Sequence, residues 1–212
     1  MTCEDIGGVI LAGGQARRMG GTQKGFCAIG GKTLLTRVIE RLAPQVGYLA
    51  LNVPHKTDEV AYQSYAIPLF HDVVDGFFGP LAGILTSMET LSRRQDFHGR
   101  HFVSCPVDTP FIPRDMVTRF YRRMRHSSAQ IVCAASRGRV HPVCALWPLA
   151  LASDLRHALL SESVRKIDRW TARYSVAVES FDDKDYDPFF NINSDDERRY
   201  GEALLSSIEG EV

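Results

Sequence analysis

Short apolar runs alternate along the chain with segments in which apolar residues recur every three or four positions. Val9, Ile10 and Leu11 form the first run, which stops at a glycine pair. Leu34, Leu35, Val38, Ile39 and Leu42 then mark one face of a helix. A strand is predicted over Tyr48–Val53, and a shorter one over 67–70 that ends at His71-Asp72. Pro80 opens a helix carrying Leu81, Ile84, Leu85, Met88 and Leu91, at a first turn where the missing N–H costs nothing. Further strands are predicted at 102–105, 131–135, 143–147 and 175–178, and helices over 113–124, 150–160, 164–173 and 194–205. Strands alternating with helices predict an α/β fold, a mostly parallel sheet with helices on both faces. Ligands of such sheets bind at the carboxyl ends of strands, where the strand order reverses. No internal repeat or Ser/Pro linker divides the sequence, so a single domain over 1–212 is expected.

Composition narrows this only a little. With 212 residues, 44% hydrophobic and 24% charged, the chain can bury a substantial core. Lys+Arg 25 against Asp+Glu 25 leaves no net pull toward nucleic acid or anionic membranes, and neither is expected as a partner. No apolar run reaches the roughly 18 residues needed to span a bilayer, and the start lacks the basic character of a signal peptide; a cytoplasmic protein is expected. The five cysteines, Cys3, Cys27, Cys105, Cys133 and Cys144, are scattered and never form Cys-x-x-Cys. Cys105, Cys133 and Cys144 read as small buried residues of strands rather than a zinc site.

The segment after the first strand changes the picture more. Between Gly13, Gly14, Gly20 and Gly21 lie Arg17 and Arg18, and Lys24 follows. From Ile6 to Ile39 there is no acid, while Arg17, Arg18, Lys24, Lys32 and Arg37 all fall inside. Glycines let a backbone take up positive φ and present its N–H groups to an anion. Arginine and lysine then pair with phosphate oxygens. The expected ligand is a polyphosphate. A dinucleotide-binding turn needs Gly-x-Gly-x-x-Gly, but here two glycines are adjacent and the next is Gly20. Gly30-Gly31-Lys32-Thr33 ends like a Walker loop, yet Phe26 stands where the first glycine should be.

A triphosphate site normally carries Mg²⁺ on oxygen ligands, with Mn²⁺ as a substitute. Asp108 ends the run Phe102-Val103-Ser104-Cys105 between Pro106 and Pro110 and is read as the metal ligand, with capping of the next helix as the alternative. Asp72 is either a site acid or a turn residue. Asn52 can meet a base or ribose, or bond to nearby backbone. Asn191 and Asn193 should point to one side of an extended segment, either tying down a loop or facing a second substrate, and Ser194 should cap the last helix.

In order, Leu11-Ala12-Gly13-Gly14 through Lys24-Gly25, Asn52, Asp72, Gly79-Pro80-Leu81-Ala82-Gly83, Cys105-Pro106-Val107-Asp108-Thr109-Pro110, His141-Pro142 and Phe190-Asn191-Ile192-Asn193 cover nearly the whole chain. This series resembles the molybdenum cofactor guanylyltransferase family, which transfers GMP from GTP to molybdopterin. The resemblance implies the Rossmann-like three-layer sandwich of nucleotidyltransferases. It places GTP contacts on Leu11, Ala12, Gly13, Gly14, Lys24, Asn52, Asp72 and Asp108, with Asp108 also holding Mg²⁺, and the terminal Asn191 and Asn193 join the binding residues. Lys24, Arg18 and Asp108 become the catalytic residues. Two departures stand out. Gln23 replaces the family's usual Asp before the lysine, and Ser194-Asp195-Asp196-Glu197 replaces Thr-Pro-Glu. The implied partners are GTP, molybdopterin, molybdopterin-donor and molybdoenzyme-maturation proteins, with the chain acting as a monomer.

Other residues stay outside the assigned chemistry. His141 is read as satisfying a local backbone group, and Arg119, Arg122, Arg123 and Arg125 as a solvated helix face or, less simply, a surface for cofactor delivery. Asp182 to Pro188 reads as a solvated excursion, and Arg165, Lys166 and Arg169 either hold the pterin phosphate or coat a helix. Cytidylyl transfer to the same pterin, NTP activation of a sugar phosphate, and a nucleotide-binding regulator without turnover are the competing functions.

Overall fold

β1 (Ile6–Leu11) is buried at all six positions and lies in the interior of a seven-stranded sheet. The computed structural model describes residues 5–13, 24–54, 57–74, 79–181 and 185–209. The other large strands are β4 (Tyr48–Val53), β5 (Leu69–His71), β6 (His101–Pro106), β7 (Ile131–Ser136), β8 (Arg139–Pro148) and β9 (Val176–Ser180). Their order is β5-β4-β1-β6-β8-β7-β9. Every neighbouring pair is parallel except those of β8, which runs against both β6 and β7. The chain moves outward from β1 through β4 to β5, then returns to place β6 on the other side of β1. That reversal opens a crevice at the carboxyl ends of β1, β4 and β6.

β8 is reversed because only Arg137 and Gly138 separate it from β7, with φ of 48° and 73°. A two-residue link with both φ positive closes an antiparallel hairpin. The pairing then slips: Ala134 faces His141, but Cys133 faces Ala145, so Pro142, Val143 and Cys144 bulge out of register. Proline has no N–H for a ladder, and bulges are where strands tolerate it. The predicted strand over 143–147 is therefore the second half of a longer, bent one.

Each face of the sheet carries a core. On one, α2 (Pro80–Arg93) and α4 (Ala152–Leu160) set Leu81, Ile84, Leu85, Met88, Leu155 and Leu159 against Val9, Phe102 and Trp147. On the other, α1 (Leu34–Leu42) and α3 (Met116–Ser127) set Leu35, Val38, Leu42, Met116, Val117 and Phe120 against Ile10, Val103 and Leu146. This is the expected three-layer arrangement. The fully buried Trp147 donates its indole N–H to Ser104 Oγ at 2.7 Å, and that oxygen donates to Val143 O at 2.5 Å. Leaving such a buried donor unpaired would cost about 1–3 kcal/mol.

Local chemistry sets the helix ends. Thr33 caps α1, its Oγ1 accepting from Thr36 N at 3.1 Å. The helix expected from residue 113 begins at Met116, because Gln45 caps it from afar: its Oε1 accepts from Val117 N at 3.0 Å and its Nε2 donates to Pro113 O at 2.9 Å. The helix expected over 164–173 shortens to α5 (Ile167–Thr171). The last one, α6 (Asp195–Glu209), starts as expected at Ser194, whose Oγ accepts from Glu197 N at 3.2 Å. A 3-10 turn at Glu59–Tyr65 and a small hairpin, β2 (Ala28–Ile29) with β3 (Lys32–Thr33), were not anticipated. Gly30 and Gly31, at φ 52° and 75°, are the tip of that hairpin and not part of a Walker loop. No helix among the described residues is long and apolar enough to cross a membrane.

Candidate active site

The crevice contains a cavity of about 730 Å³. Its floor is formed by Leu11 and Gly13 after β1, Asn52 of β4, Asp72 after β5, and Pro106 and Asp108 at the end of β6. The start of α2 and the first half of β8 form its sides, and Phe189 and Asn191 close it. The chain exits from the strands are tied to one another: Ala12 N donates to Asn52 O at 2.9 Å and Val107 N to Leu11 O at 3.1 Å.

Lys24 Nζ reaches both Asp108 Oδ2 and Asn193 Oδ1, residues 84 and 169 positions away. The lysine and carboxylate side chains are 24% and 13% exposed, so each charge is partly desolvated and needs the other. Ile192 N donates to Asp108 O at 2.9 Å, pinning the C-terminal segment to the same turn. Ile192 is fully buried while Asn191 and Asn193 are exposed, the alternation expected of an extended segment. Asn193 thus meets Lys24 and Asn191 lines the cavity. Asp108 does not cap α3, since Gln45 does.

Asn52 is 2% exposed, and its Nδ2 donates to Phe70 O at 3.0 Å and to Asp72 Oδ1 at 2.9 Å. It serves backbone and site acid together. The next residue, Val73, donates its N–H to Thr86 Oγ1 of α2 at 3.0 Å. The Gly-Pro-Leu-Ala-Gly element makes this join possible. Gly79 takes φ 60° and ψ −151°, a region open essentially to glycine, Pro80 starts α2, and a Cβ on Gly83 would collide with Asn52 Oδ1. The N-terminal, positive end of α2 consequently borders the cavity.

Gly13 is not in the left-handed region, contrary to the expectation for the loop glycines, and a Cβ there would meet nothing within 4 Å. Its glycine leaves open space beside the cavity. Gly14, Arg17, Arg18, Gly20, Gly21 and Gln23 lie outside the described residues. The local excess of positive charge is only partly directed at this site. Lys32 pairs with Glu40 at 2.6 Å, and the buried Arg37 donates to Ile29 O at 2.8 and 3.0 Å and to Gly30 O at 3.0 Å.

Three other expectations are corrected. His141 bonds through Nε2 with Ser136 Oγ at 2.8 Å, not with backbone, and its ring stacks on Phe189 at 4.9 Å and lines the cavity. Burial holds this ring below the usual imidazole range, with Asp187 opposing and Arg139 adding to the effect. Asp187 is no solvated loop acid: it accepts from Ser136 Oγ at 2.6 Å and Phe189 N at 2.9 Å, while 182–184 lie outside the described residues. Arg119 leaves the solvated face to pair with Glu179 at 2.8 Å over the Phe181 ring. Arg165 donates to Leu159 O and Val164 O, each at 3.0 Å, so its guanidinium is tied to backbone. Cys105, Cys133 and Cys144 are buried in strands as expected, and burial pushes the Cys133 thiol up to about 12.

The oxygen donors suit a hard divalent cation. Among the described residues no cluster of three or more His, Cys, Asp or Glu could hold a metal unaided. Asp108 would hold such a cation only together with phosphate oxygens and water, the usual mode for Mg²⁺.

Comparison with known proteins identifies the family and the fold. The MobA-like NTP transferase domain family matches residues 8–177. A molybdenum cofactor guanylyltransferase from Rhodopseudomonas palustris is 45% identical over 196 residues, covering 92% of this chain and 90% of that protein. A solved structure of molybdopterin-guanine dinucleotide biosynthesis protein A from Archaeoglobus fulgidus, 22% identical, superposes with a TM-score of 0.73 over 95% of this chain and 100% of the other. A Mycobacterium tuberculosis protein solved in complex with manganese shares the fold at 16% identity and a TM-score of 0.63, over 92% of this chain and 96% of that one.

Proposed function

Because the chain belongs to the MobA-like NTP transferases and, among them, to the molybdenum cofactor guanylyltransferases, we propose that it transfers GMP from GTP to the terminal phosphate of molybdopterin, releasing pyrophosphate. The observation that carries the assignment of residues is the convergence of Lys24 and Asn193, from distant segments, on Asp108, which lines the cavity. The relatives do not favour cytidylyl transfer, sugar activation or a silent regulator.

The attacking group is a phosphate oxygen, already ionised near neutral pH, so the site needs no strong general base. It must instead bring two polyanions together, by positioning and charge compensation. Leu11, Ala12 and Gly13 offer backbone at the end of β1, and Asn52 with Asp72 hold the nucleoside end. Lys24 neutralises phosphate charge as the pyrophosphate leaves, and by family resemblance Arg18 acts on the same phosphates and Gly14 belongs to the nucleotide-binding set. Asn191 and Asn193 face the second substrate. Asp108 would hold a divalent cation, Mg²⁺ with Mn²⁺ as substitute, which when bound offsets phosphate charge. The same reading makes the protein a cytoplasmic monomer of one domain, 1–212, supplied by a molybdopterin donor and serving molybdoenzyme maturation.

Lys24→Ala and Asp108→Asn are each expected to lower turnover by about 10²- to 10³-fold while the folding transition stays within a few degrees. Steady-state pyrophosphate release with parallel thermal melts measures both. Wild-type-like turnover in Lys24→Ala ends the catalytic assignment.

A further inference from the structure

Among the described residues that line the cavity there are two carboxylates, Asp72 and Asp108, and one permanent cation, Arg139. Lys24 is already engaged by Asp108 and Asn193. Arg139 is exposed and makes no ion pair or hydrogen bond among the described residues. It opens β8, on the opposite side of β1 and β6 from the strands that carry Asn52 and Asp72. A nucleotide whose nucleoside meets Asn52 and Asp72 and whose phosphates reach Gly13 and Lys24 therefore leaves the β8 wall to the acceptor.

We propose that Arg139 is the docking point for the phosphate monoester of the acceptor, the group that attacks GTP. This rests on the guanylyltransferase reading and adds a recognition site to it. Of the two lining carboxylates Asp108 is paired with Lys24, while a guanidinium fork on the far wall offers a phosphate dianion a paired set of donors that fits its oxygens. The mount is rigid. Arg139 directly faces Ser136 across the hairpin, and the turn between them is closed by Arg137 and Gly138 in left-handed conformations. Ser136 is bonded to both His141 and Asp187, which ties the hairpin base to the segment that continues to Asn191 and Asn193. Two walls of the acceptor side are thus joined by hydrogen bonds, and Val140 and Pro142 supply an apolar flank where a flat heterocycle can rest. The β7–β8 turn carries no glycine-loop motif, so nothing in its sequence marks it as a phosphate site; only the topology brings it to the cavity.

The test compares wild type, Arg139→Ala and Arg139→Lys, with molybdopterin as acceptor and phosphatase-treated molybdopterin as competitor. In Arg139→Ala the KM for molybdopterin should rise about 10- to 100-fold, the loss of a charge-assisted contact. Its kcat and the GTP dissociation constant should stay near wild type, the pattern of lost ground-state binding. Arg139→Lys should recover part of the KM, and the dephosphorylated competitor should inhibit all three proteins alike. An unchanged KM in Arg139→Ala, with wild type active, overturns the inference and leaves the function standing. Weakened GTP binding, or a competitor that tells the proteins apart, shows a structural role and also overturns it. Absence of guanylyl transfer in the wild type overturns the function itself, and the inference falls with it.

Discussion

The proton on His141 is placed by its neighbours. Ser136 Oγ donates to Asp187 at 2.6 Å, so toward the ring that oxygen acts as acceptor, and Nε2 donates across the 2.8 Å contact. This puts a proton on Nε2, and burial disfavours a second one on Nδ1. Because folding lowers the ring's proton affinity, the unfolded chain takes up that proton first as pH falls. The resulting stability is complete above about pH 6.5 and is lost as pH falls from there through the lower folded value. Imidazole ¹⁵N NMR at pH 7 should report a neutral Nε2–H ring; a neutral ring with its proton on Nδ1 contradicts the network, and a charged ring contradicts the effect of burial. From sequence, His141 next to Pro142 suggested a backbone partner ahead of a catalytic role. Ser136 becomes its partner through a turn whose left-handed Arg137 no motif announces.

At the scale of elements, the opening of α2 decides how closely helix and sheet approach. A methyl group on Gly83 would strike Asn52 Oδ1 and crowd Leu11, whereas one on Gly13 meets nothing within 4 Å. Gly83→Ala should cost about 1–3 kcal/mol of stability, as overpacking does. Gly13→Ala should cost under about 0.5 kcal/mol yet weaken GTP binding, since its open space is kept for ligand. Denaturant titration and GTP binding on both variants separate the two roles; equal destabilisation by both contradicts this division. The helix faces of α1 and α2 were legible because their apolar spacing is local. The start of α3 was not, because Gln45 caps it from the turn after α1, and neither was the full length of β8, whose bulge breaks the apolar alternation around Pro142.

Across the whole molecule, the strand order turns a scattered set of residues into a site. Leu11, Asn52, Asp72 and Asp108 each follow or end a strand, and the reversal at β1 brings those ends to one edge. This much was readable, since short apolar runs ending in Gly, Asn or Asp imply parallel strands with polar exits. The division of the positive charge was not. Arg37 and Lys32 stand in the same acid-free stretch as Lys24, but folding turns the first onto the backbone of the β2–β3 hairpin and the second onto Glu40. The reversed strand β8 was equally hidden, although it forms one wall of the cavity and carries Arg139. The most direct measurement is pyrophosphate release by the purified protein with Mg²⁺, offered GTP, CTP, ATP or UTP with and without molybdopterin, with mass spectrometry of the pterin product. The account predicts release with GTP alone among the four, only when molybdopterin is present, and a pterin enlarged by one GMP. Preference for CTP, or nucleotide binding with no pterin-dependent release, would contradict it.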